Sequence, residues 1–257
     1  MRKLLLLPLL YALFVAGSCE SEPLDPISTM EDQTFFPLTL NQPLFYGLDS
    51  IVVFNTTGGI VYDTTHAEVR ETLVEMFVET DGTETYRGER WQRADESSPW
   101  QFIQTYTVSR TGSAAFREED NLRFTKLIFP IAENLAWDGN AAFDARRQLV
   151  IGGEFLDVFN GWGYRYDTVG VALTLPTGRS FDRVIRVEQA DVDNLIDFRE
   201  AYEIYAPGVG LVERFIDARA TQCRVCCGGN NPDTALCSDL PWDEKAEKGF
   251  IIRQVLR

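Results

Sequence analysis

The residues most able to do specific chemistry in this sequence are its cysteines. Four of them fall within one short stretch, at Cys223, Cys226, Cys227 and Cys237, and the fifth, Cys19, stands alone near the start. Clustered thiols can pair as disulfides or hold a metal ion, because thiolate is both a metal ligand and a redox group. A single cysteine after a hydrophobic leader suggests a different chemistry, covalent attachment of lipid.

The surroundings of Cys19 predict a processed and lipid-modified N-terminus. Two basic residues, Arg2 and Lys3, precede an apolar run that is shorter than the roughly 20 residues of a spanning helix. Val15-Ala16-Gly17-Ser18 before the cysteine resembles a bacterial lipobox. We therefore expect residues 1–18 to be a signal peptide and Cys19 to carry lipid, palmitate included. An ordinary signal-peptidase site with unmodified Cys19 is the alternative.

The stretch 19–34 predicts a tether and a location. It is rich in proline and acidic residues, a composition that favours an extended, solvated chain. A lipid on Cys19 would make the membrane itself a partner and place the protein in the cell envelope as an outer-membrane lipoprotein. Acidic residues after the cysteine resemble an export signal, but the periplasmic and surface faces both remain open.

The loop 223–237 is predicted from glycine, asparagine and proline around its four cysteines. An exported compartment favours disulfides. Adjacent Cys226 and Cys227 need different partners. Four cysteines allow three connectivities; we favour Cys227 with Cys237, which leaves Cys223 with Cys226, and the others stay open. The C-x-x-C spacing also suits zinc or a redox-active pair, and both stay as alternatives.

Other candidates predict no catalytic residue, no cofactor and no metal site. His66 is the single histidine, in what the sequence suggests is a polar turn, and no G-x-S-x-G motif accompanies it. The acidic group Asp191, Asp193, Asn194 and Asp197 could hold calcium but lacks the glycine and glutamate of an EF-hand, which favours a solvated turn. We therefore expect a protein that is not an enzyme. The alternative is a glycan hydrolase, because its two catalytic carboxylates come together in the fold and need not form a sequence motif.

Composition excludes one class of partner and predicts a folded domain. Asp and Glu number 39 against 24 Lys and Arg, a net charge of −15, which repels nucleic acid. A hydrophobic content of 45% and an aromatic content of 12% indicate a packed core. No linker divides the rest, so we predict a single domain over 35–257. Its five tryptophans could line a sugar or lipid site, although core packing is their more common use.

Alternating apolar residues predict strands over most of this domain. The predicted strands are 68–79 (which also fits a helix), 86–93, 100–110, 122–129, 148–158, 163–172, 181–188, 198–206, 210–216 and 250–256. Short helices are expected within 133–148 and 187–198. The fold class is therefore mainly β, an antiparallel curved sheet or half-open barrel with one or two short helices.

Several stretches, in order, resemble a family of uncharacterised Bacteroidota lipoproteins. They are Phe35-Phe36-Pro37-Leu38, Asn121-Leu122-Arg123-Phe124-x-Lys126-Leu127-x-Phe129-Pro130, Trp137-x-Gly139-Asn140, Tyr202-Glu203-x-Tyr205-Ala206-x-Gly208-Val209-Gly210-Leu211-Val212 and Glu247-Lys248-Gly249-Phe250-Ile251. This chain departs from the family at Asn41-Gln42-Pro43, which obscures where its first strand starts. The resemblance implies a β-rich envelope lipoprotein and carries no activity.

Three functions follow from these observations as hypotheses. The first is a membrane-anchored binding or assembly protein that contacts another envelope protein. The second is a carrier of lipid or another apolar ligand in a half-barrel, which requires an apolar concavity of several hundred Å³ and would be weakened by an interior filled with side chains. The third is an envelope glycan hydrolase, which requires two carboxylates about 5–10 Å apart in a cleft.

Overall fold

The structure is a computed structural model that describes residues 30–222 and 240–257. Its helices are a short 3-10 helix at Gln33–Phe35 and α1 at Trp242–Lys245. Its strands are β1 Leu44–Thr56, β2 Gly59–Val78, β3 Glu84–Arg93, β4 Gln101–Arg110, β5 Ala114–Glu119, β6 Leu122–Ile128, β7 Ala136–Trp137, β8 Leu149–Ile151, β9 Glu154–Leu156, β10 Tyr164–Thr174, β11 Ser180–Asp193, β12 Asp197–Ala206, β13 Gly210–Ala220 and β14 Lys248–Leu256. No helix in these ranges is long and apolar enough to cross a membrane.

Twelve of the strands form one antiparallel sheet in the order β6-β5-β4-β3-β2-β1-β14-β13-β12-β11-β10-β7. The sheet curls until its two edges meet. Thr125 on β6 donates its backbone N–H to the Gly139 carbonyl at 2.8 Å, and the Trp137 indole donates to the Thr125 carbonyl at 2.8 Å. The Tyr166 hydroxyl bridges both backbone groups of Ile128. These bonds across the seam make a nearly closed barrel, so both edges are protected from further strand pairing.

Alternation along the strands sets which side chains face the barrel interior, because successive residues point to opposite faces. On β6, Leu122, Phe124 and Lys126 are buried, while Arg123 between them is exposed. On β13, Arg214 and Ile216 face inward beside β14, where Arg214 lies directly opposite Gln254. The interior is therefore not uniformly apolar.

Two segments close the ends of the barrel. Near the N-terminus, Phe35 and Phe36 pack into a core that includes Tyr166, and Arg110 donates to the carbonyls of Gln33 and Phe36. At the other end, the chain between β7 and β10 folds over the opening and carries the small β8–β9 hairpin. Leu149 and Ile151 of β8, with Leu156 of β9, pack there against inward residues of β6, β13 and β14.

The β-rich fold class is confirmed, whereas both predicted helices are wrong. Residues 133–148 contain the short strand β7 and turns in which the Asp138 and Asp144 carboxylates accept nearby backbone N–H groups, an arrangement that competes with helix. In the stretch 187–198, β11 continues to Asp193, and the chain then turns and begins β12 at Asp197. The Asn194 side chain organises that turn by accepting from the N–H groups of Ile196 and Asp197.

The remaining differences concern strands. β1, β5 and β7 were not predicted, and β2 begins well before residue 68. The single strand expected at 148–158 is instead the β8–β9 hairpin, because Gly152 and Gly153 both have positive φ and form its two-residue turn.

Candidate functional site

A row of seven charged side chains crosses the barrel interior. In order they are Arg90, Glu71, Arg117, Glu119, Arg214, Glu203 and Lys126, and we call them the charge ladder. Each member lies beside a charge of opposite sign, and the row begins and ends with a cation. It joins β2, β3 and β5 on one side of the barrel to β6, β12 and β13 on the other.

Glu203 is the most heavily bonded member of the charge ladder. Its Oε1 accepts from Lys126 Nζ at 2.9 Å and from Arg214 Nε at 2.7 Å. Its Oε2 accepts from the Gln189 amide at 2.9 Å and the Tyr205 hydroxyl at 2.6 Å. Burial alone would raise the pKa of Glu203, but the two cations outweigh it and hold the pKa well below the ordinary 4.5. Glu203 is therefore a carboxylate whose acceptor positions are filled.

The opposite end of the charge ladder is built around Glu71. Arg117 contacts it through two N–H donors, at 2.9 and 3.1 Å, and Arg90 donates at 2.7 Å. The Arg117 guanidinium also lies over the Tyr106 ring at 3.8 Å. Burial would raise the pKa of Glu71, yet Arg117 and Arg90 together lower it well below its usual range. Glu71 is therefore an ionised carboxylate that is bonded to two cations.

A cavity of about 310 Å³ lies between the charge ladder and the β8–β9 hairpin. Its apolar wall consists of Leu122, Phe124, Leu149, Val150, Ile151, Phe159, Trp162 and Ile216. Phe124, Phe159 and Trp162 pack with ring centroids 5.2–5.6 Å apart. Its polar floor consists of Glu119, Lys126, Gln189, Glu203 and Arg214, and exposed Asp120 and Arg147 mark its rim. The volume falls in the range of small-molecule sites.

The cavity is graded from apolar to charged along β6. Leu122, Phe124 and Lys126 follow one another on its inward face, so the path from Leu122 to Lys126 is about 13 Å long at about 3.3 Å per residue. The Lys126 ammonium lies 4.9 Å from the Phe124 ring centroid. Inside the charged rim, a molecule entering under the hairpin would meet apolar side chains first and the buried cations Lys126 and Arg214 last.

Several hydrogen-bonding groups near the cavity have unused capacity among the described residues. Lys126 Nζ donates one bond and Arg214 donates one through Nε, so further donors remain on both. The buried Trp162 indole N–H has no partner within residues 30–222 and 240–257. Both amide atoms of Gln254, which is only 1% exposed, are unpaired there as well. Buried polar groups normally have hydrogen-bond partners, so the groups that line the cavity are free to bond to a ligand.

A smaller cavity of about 90 Å³ lies on the far side of the same charges. Phe36, Tyr46, Tyr106 and Tyr205 contribute to its lining, and Lys126 and Arg214 line both spaces. The charge ladder thus divides the interior into a larger and a smaller compartment. Side chains fill the centre of the barrel, which counts against an open half-barrel, and among the described residues the larger interior space lies beneath the β8–β9 hairpin.

Of the candidate site residues that the sequence analysis singled out, Trp162 lines the larger cavity, and the others in the described ranges do not. Cys19, Cys223, Cys226, Cys227 and Cys237 lie outside the described residues, as do the signal peptide and most of the tether. The lipidation, disulfide and zinc predictions therefore remain predictions. From the end of the tether, Asp32 accepts the Ile131 backbone N–H at 2.9 Å, so that end contacts the barrel.

His66 lies within β2 and not in a turn. It is exposed and its Nδ1 lies 2.6 Å from the Asp49 carboxylate on the neighbouring strand. Among Asp191, Asp193, Asn194 and Asp197, Asp193 accepts the Trp242 indole N–H at 3.0 Å and Asp197 accepts from Arg199 at 3.1 Å. No group of three metal-ligating side chains occurs within the described ranges.

The tryptophans divide between several roles. Trp91 and Trp100 lie against Arg70, Trp137 helps to close the barrel, and Trp242 packs on Phe198. Trp162 lines the larger cavity.

Sequence reasoning missed the charge ladder altogether. Its seven members come from six strands, so no local motif joins them. One signal was available: Glu71 shares the alternation of Val69 and Leu73, which places a charge on the apolar-rich face of a strand. A charged residue in phase with core residues marks a buried ionic position, but its partners are set by the fold.

Comparisons with known proteins give limited information. No protein-family model and no curated protein matches this chain. A crystal structure of a candidate lipoprotein from Parabacteroides distasonis is similar over 86% of this chain and 96% of that one, with 12% identity and a TM-score of 0.34. A similarity of this size transfers neither fold nor function. The family resemblance stays a prediction, and the proposals below rest on the residues of this chain.

Proposed function

We propose that this protein is an envelope lipoprotein that carries a small, mainly apolar ligand in the cavity beneath its β8–β9 hairpin. The observation that carries this proposal is the cavity of about 310 Å³ with eight apolar side chains in its wall. Cavities of this size in soluble proteins are commonly ligand sites when a few polar groups converge on one end. Tethering through Cys19 would hold such a carrier at the membrane.

The wall of the cavity favours a flexible chain over a flat or highly polar molecule. Phe124 and Phe159 present ring faces and edges, while Leu149, Ile151 and Ile216 supply aliphatic surface. Burial of a methylene group contributes about 0.8 kcal/mol, so a medium-length alkyl chain would gain several kcal/mol here. The path of about 13 Å along β6 gives such a chain room to extend.

Binding fits the cavity better than glycan hydrolysis does. A hydrolase needs a carboxylic acid that gives up a proton near neutral pH. Glu203 and Glu119 line the cavity, but adjacent cations outweigh the effect of burial and hold the pKa of each below its usual range. Glu203 also has no free acceptor position. We therefore propose a carrier and not an enzyme.

Calorimetric titration with decanol tests the proposed cavity. The full chain with Cys19→Ser lacks the lipidation site and can be purified without detergent. We expect a single site with a dissociation constant of roughly 10–100 μM, the gain from burying the alkyl chain less the cost of ordering it. Absence of saturable binding would contradict the proposal.

Two tryptophan substitutions separate the cavity from the outer surface. Ile216→Trp adds an indole to the cavity wall and should weaken decanol binding at least tenfold. Val171→Trp adds the same group to an exposed position on β10 and should leave binding unchanged. Circular dichroism confirms that both variants are folded. Equal affinities in the two variants would place the ligand elsewhere.

Membrane fractionation tests the proposed tether. In its bacterial host, the unaltered protein should sediment with envelope membranes and carry acyl chains detectable by mass spectrometry. Cys19→Ser should lose both properties, because stable anchoring depends on covalent lipid. Retention of the variant in the membrane fraction at the level of the unaltered protein would count against lipid on Cys19.

A further inference from the structure

The charge ladder contains one more cation than its carboxylates can balance. With Lys126 protonated, four cations (Arg90, Arg117, Arg214 and Lys126) meet three carboxylates (Glu71, Glu119 and Glu203). Buried charges are normally paired, because transfer of an isolated ion out of water is costly. The surplus positive charge therefore calls for one more negative group.

The cavity ends at two buried cations that share one carboxylate. At the far end of the charge ladder Arg90 and Arg117 likewise share Glu71, but Arg90 is partly exposed to solvent. Lys126, in contrast, is buried and shares with Arg214 a single carboxylate, Glu203, whose acceptor positions are filled. Arg214 lies 3.9 Å from the next carboxylate, Glu119, which is too far for a hydrogen bond. Both cations line the larger cavity and keep unused N–H donors.

One neutral donor on the cavity wall also lacks a partner. The indole N–H of Trp162 is without an acceptor in the described part of the chain. Gln254, directly opposite Arg214 across β13 and β14, leaves both amide atoms unpaired but does not line the cavity. The Trp162 indole is independent of the charge count and adds a hydrogen-bond donor for a polar occupant.

We propose that the carried ligand is an amphiphile with a singly charged carboxylate head group, which binds Lys126 and Arg214 while its apolar chain lies along the wall toward the hairpin. This inference rests on the proposed carrier function. A single negative charge balances the charge ladder, and carboxylate oxygens suit the remaining N–H donors of the two cations. A neutral head group would leave the surplus charge unmatched.

Paired titrations with decanoate and decanol at neutral pH test the inference. The probes have the same chain length and differ in the charge of the head group. We expect the unlipidated full chain to bind decanoate at least tenfold more tightly than decanol. Equal binding of the two would overturn the carboxylate assignment alone, whereas binding of neither would overturn the carrier function and this inference with it.

One lysine substitution and one arginine substitution show where in the protein the preference for decanoate arises. Lys126→Met keeps an apolar stem and leaves three cations facing three carboxylates, so it should bring the affinities for decanoate and decanol to the same value. Arg123→Met removes the same charge from the exposed face of β6 and should retain the preference. A preference for decanoate that persists in folded Lys126→Met would overturn the assignment of the carboxylate to Lys126. If that variant fails to fold, the titrations of decanoate and decanol into the chain with Lys126 intact still test the inference.

Discussion

At the scale of single residues, Glu203 illustrates how a buried charge can be held without instability. Four donors surround it, two of them cationic, and its carboxylate has no further capacity. Buried ion pairs often contribute little net stability compared with apolar residues of similar volume. The presence of seven charged side chains in the barrel interior is therefore better explained by a role in ligand binding than by a gain in stability.

The pH dependence of unfolding should report Glu203. Because its pKa is lowered in the folded protein, its stabilising contribution is complete above the ordinary value of 4.5 and is lost as pH falls through the lower folded value. Glu203→Gln should reduce the slope of unfolding free energy against pH below about 4.5, by up to about 1.4 kcal/mol per pH unit. At neutral pH it should destabilise by about 3–5 kcal/mol, since two cations lose their partner.

Urea titrations across this pH range measure both effects. Glu118→Gln, at an exposed position on β5, is the control and should change the unfolding free energy at neutral pH by less than about 0.5 kcal/mol. An acid slope in Glu203→Gln equal to that of the unaltered protein would show that Glu203 is not an ionised member of the charge ladder.

At the scale of elements, strands were predictable where alternation was strong and unpredictable where it was absent. β12 and β13 carry clear apolar periodicity and were expected within a few residues. β1 was not expected, because most of its side chains are half-buried and residues on both faces of the strand pack against neighbours. The two false helices arose from stretches whose turns depend on Asp and Asn side-chain bonds, which periodicity does not encode.

The pairing of β3 with β4 depends on a glycine at one inward position. A Cβ on Gly88 would lie 2.2 Å from the Tyr106 ring, which is buried and supports Arg117 of the charge ladder. Gly88→Ala should therefore lower the unfolding free energy by about 1–3 kcal/mol through overpacking. Chemical denaturation measures the change.

The matched control for this position is Gly112, in the turn before β5. Nothing lies within 4 Å of a Cβ built there. Gly112→Ala should consequently change stability by less than about 0.5 kcal/mol. If Gly88→Ala proved as harmless as Gly112→Ala, the close packing of Tyr106 against β3 would be wrong.

At the scale of the whole molecule, the sequence predicted the β-rich class but not the site. Composition and periodicity are properties of the chain, and they indicated a curved sheet or half-open barrel. The cavity depends on the closure of β6 against the residues after β7 and on the fold of the β8–β9 hairpin over the opening. Both are long-range contacts, so the residues that line the cavity, Lys126 and Arg214 among them, could not be recognised beforehand.

A crystal structure of the full chain grown with decanoate would show whether the cavity carries an apolar ligand. Density for the alkyl chain is expected between Phe124, Phe159 and the β8–β9 hairpin, with its carboxylate near Lys126 and Arg214. Decanoate bound only on the outer surface, or a cavity filled by ordered water at saturating decanoate, would contradict it.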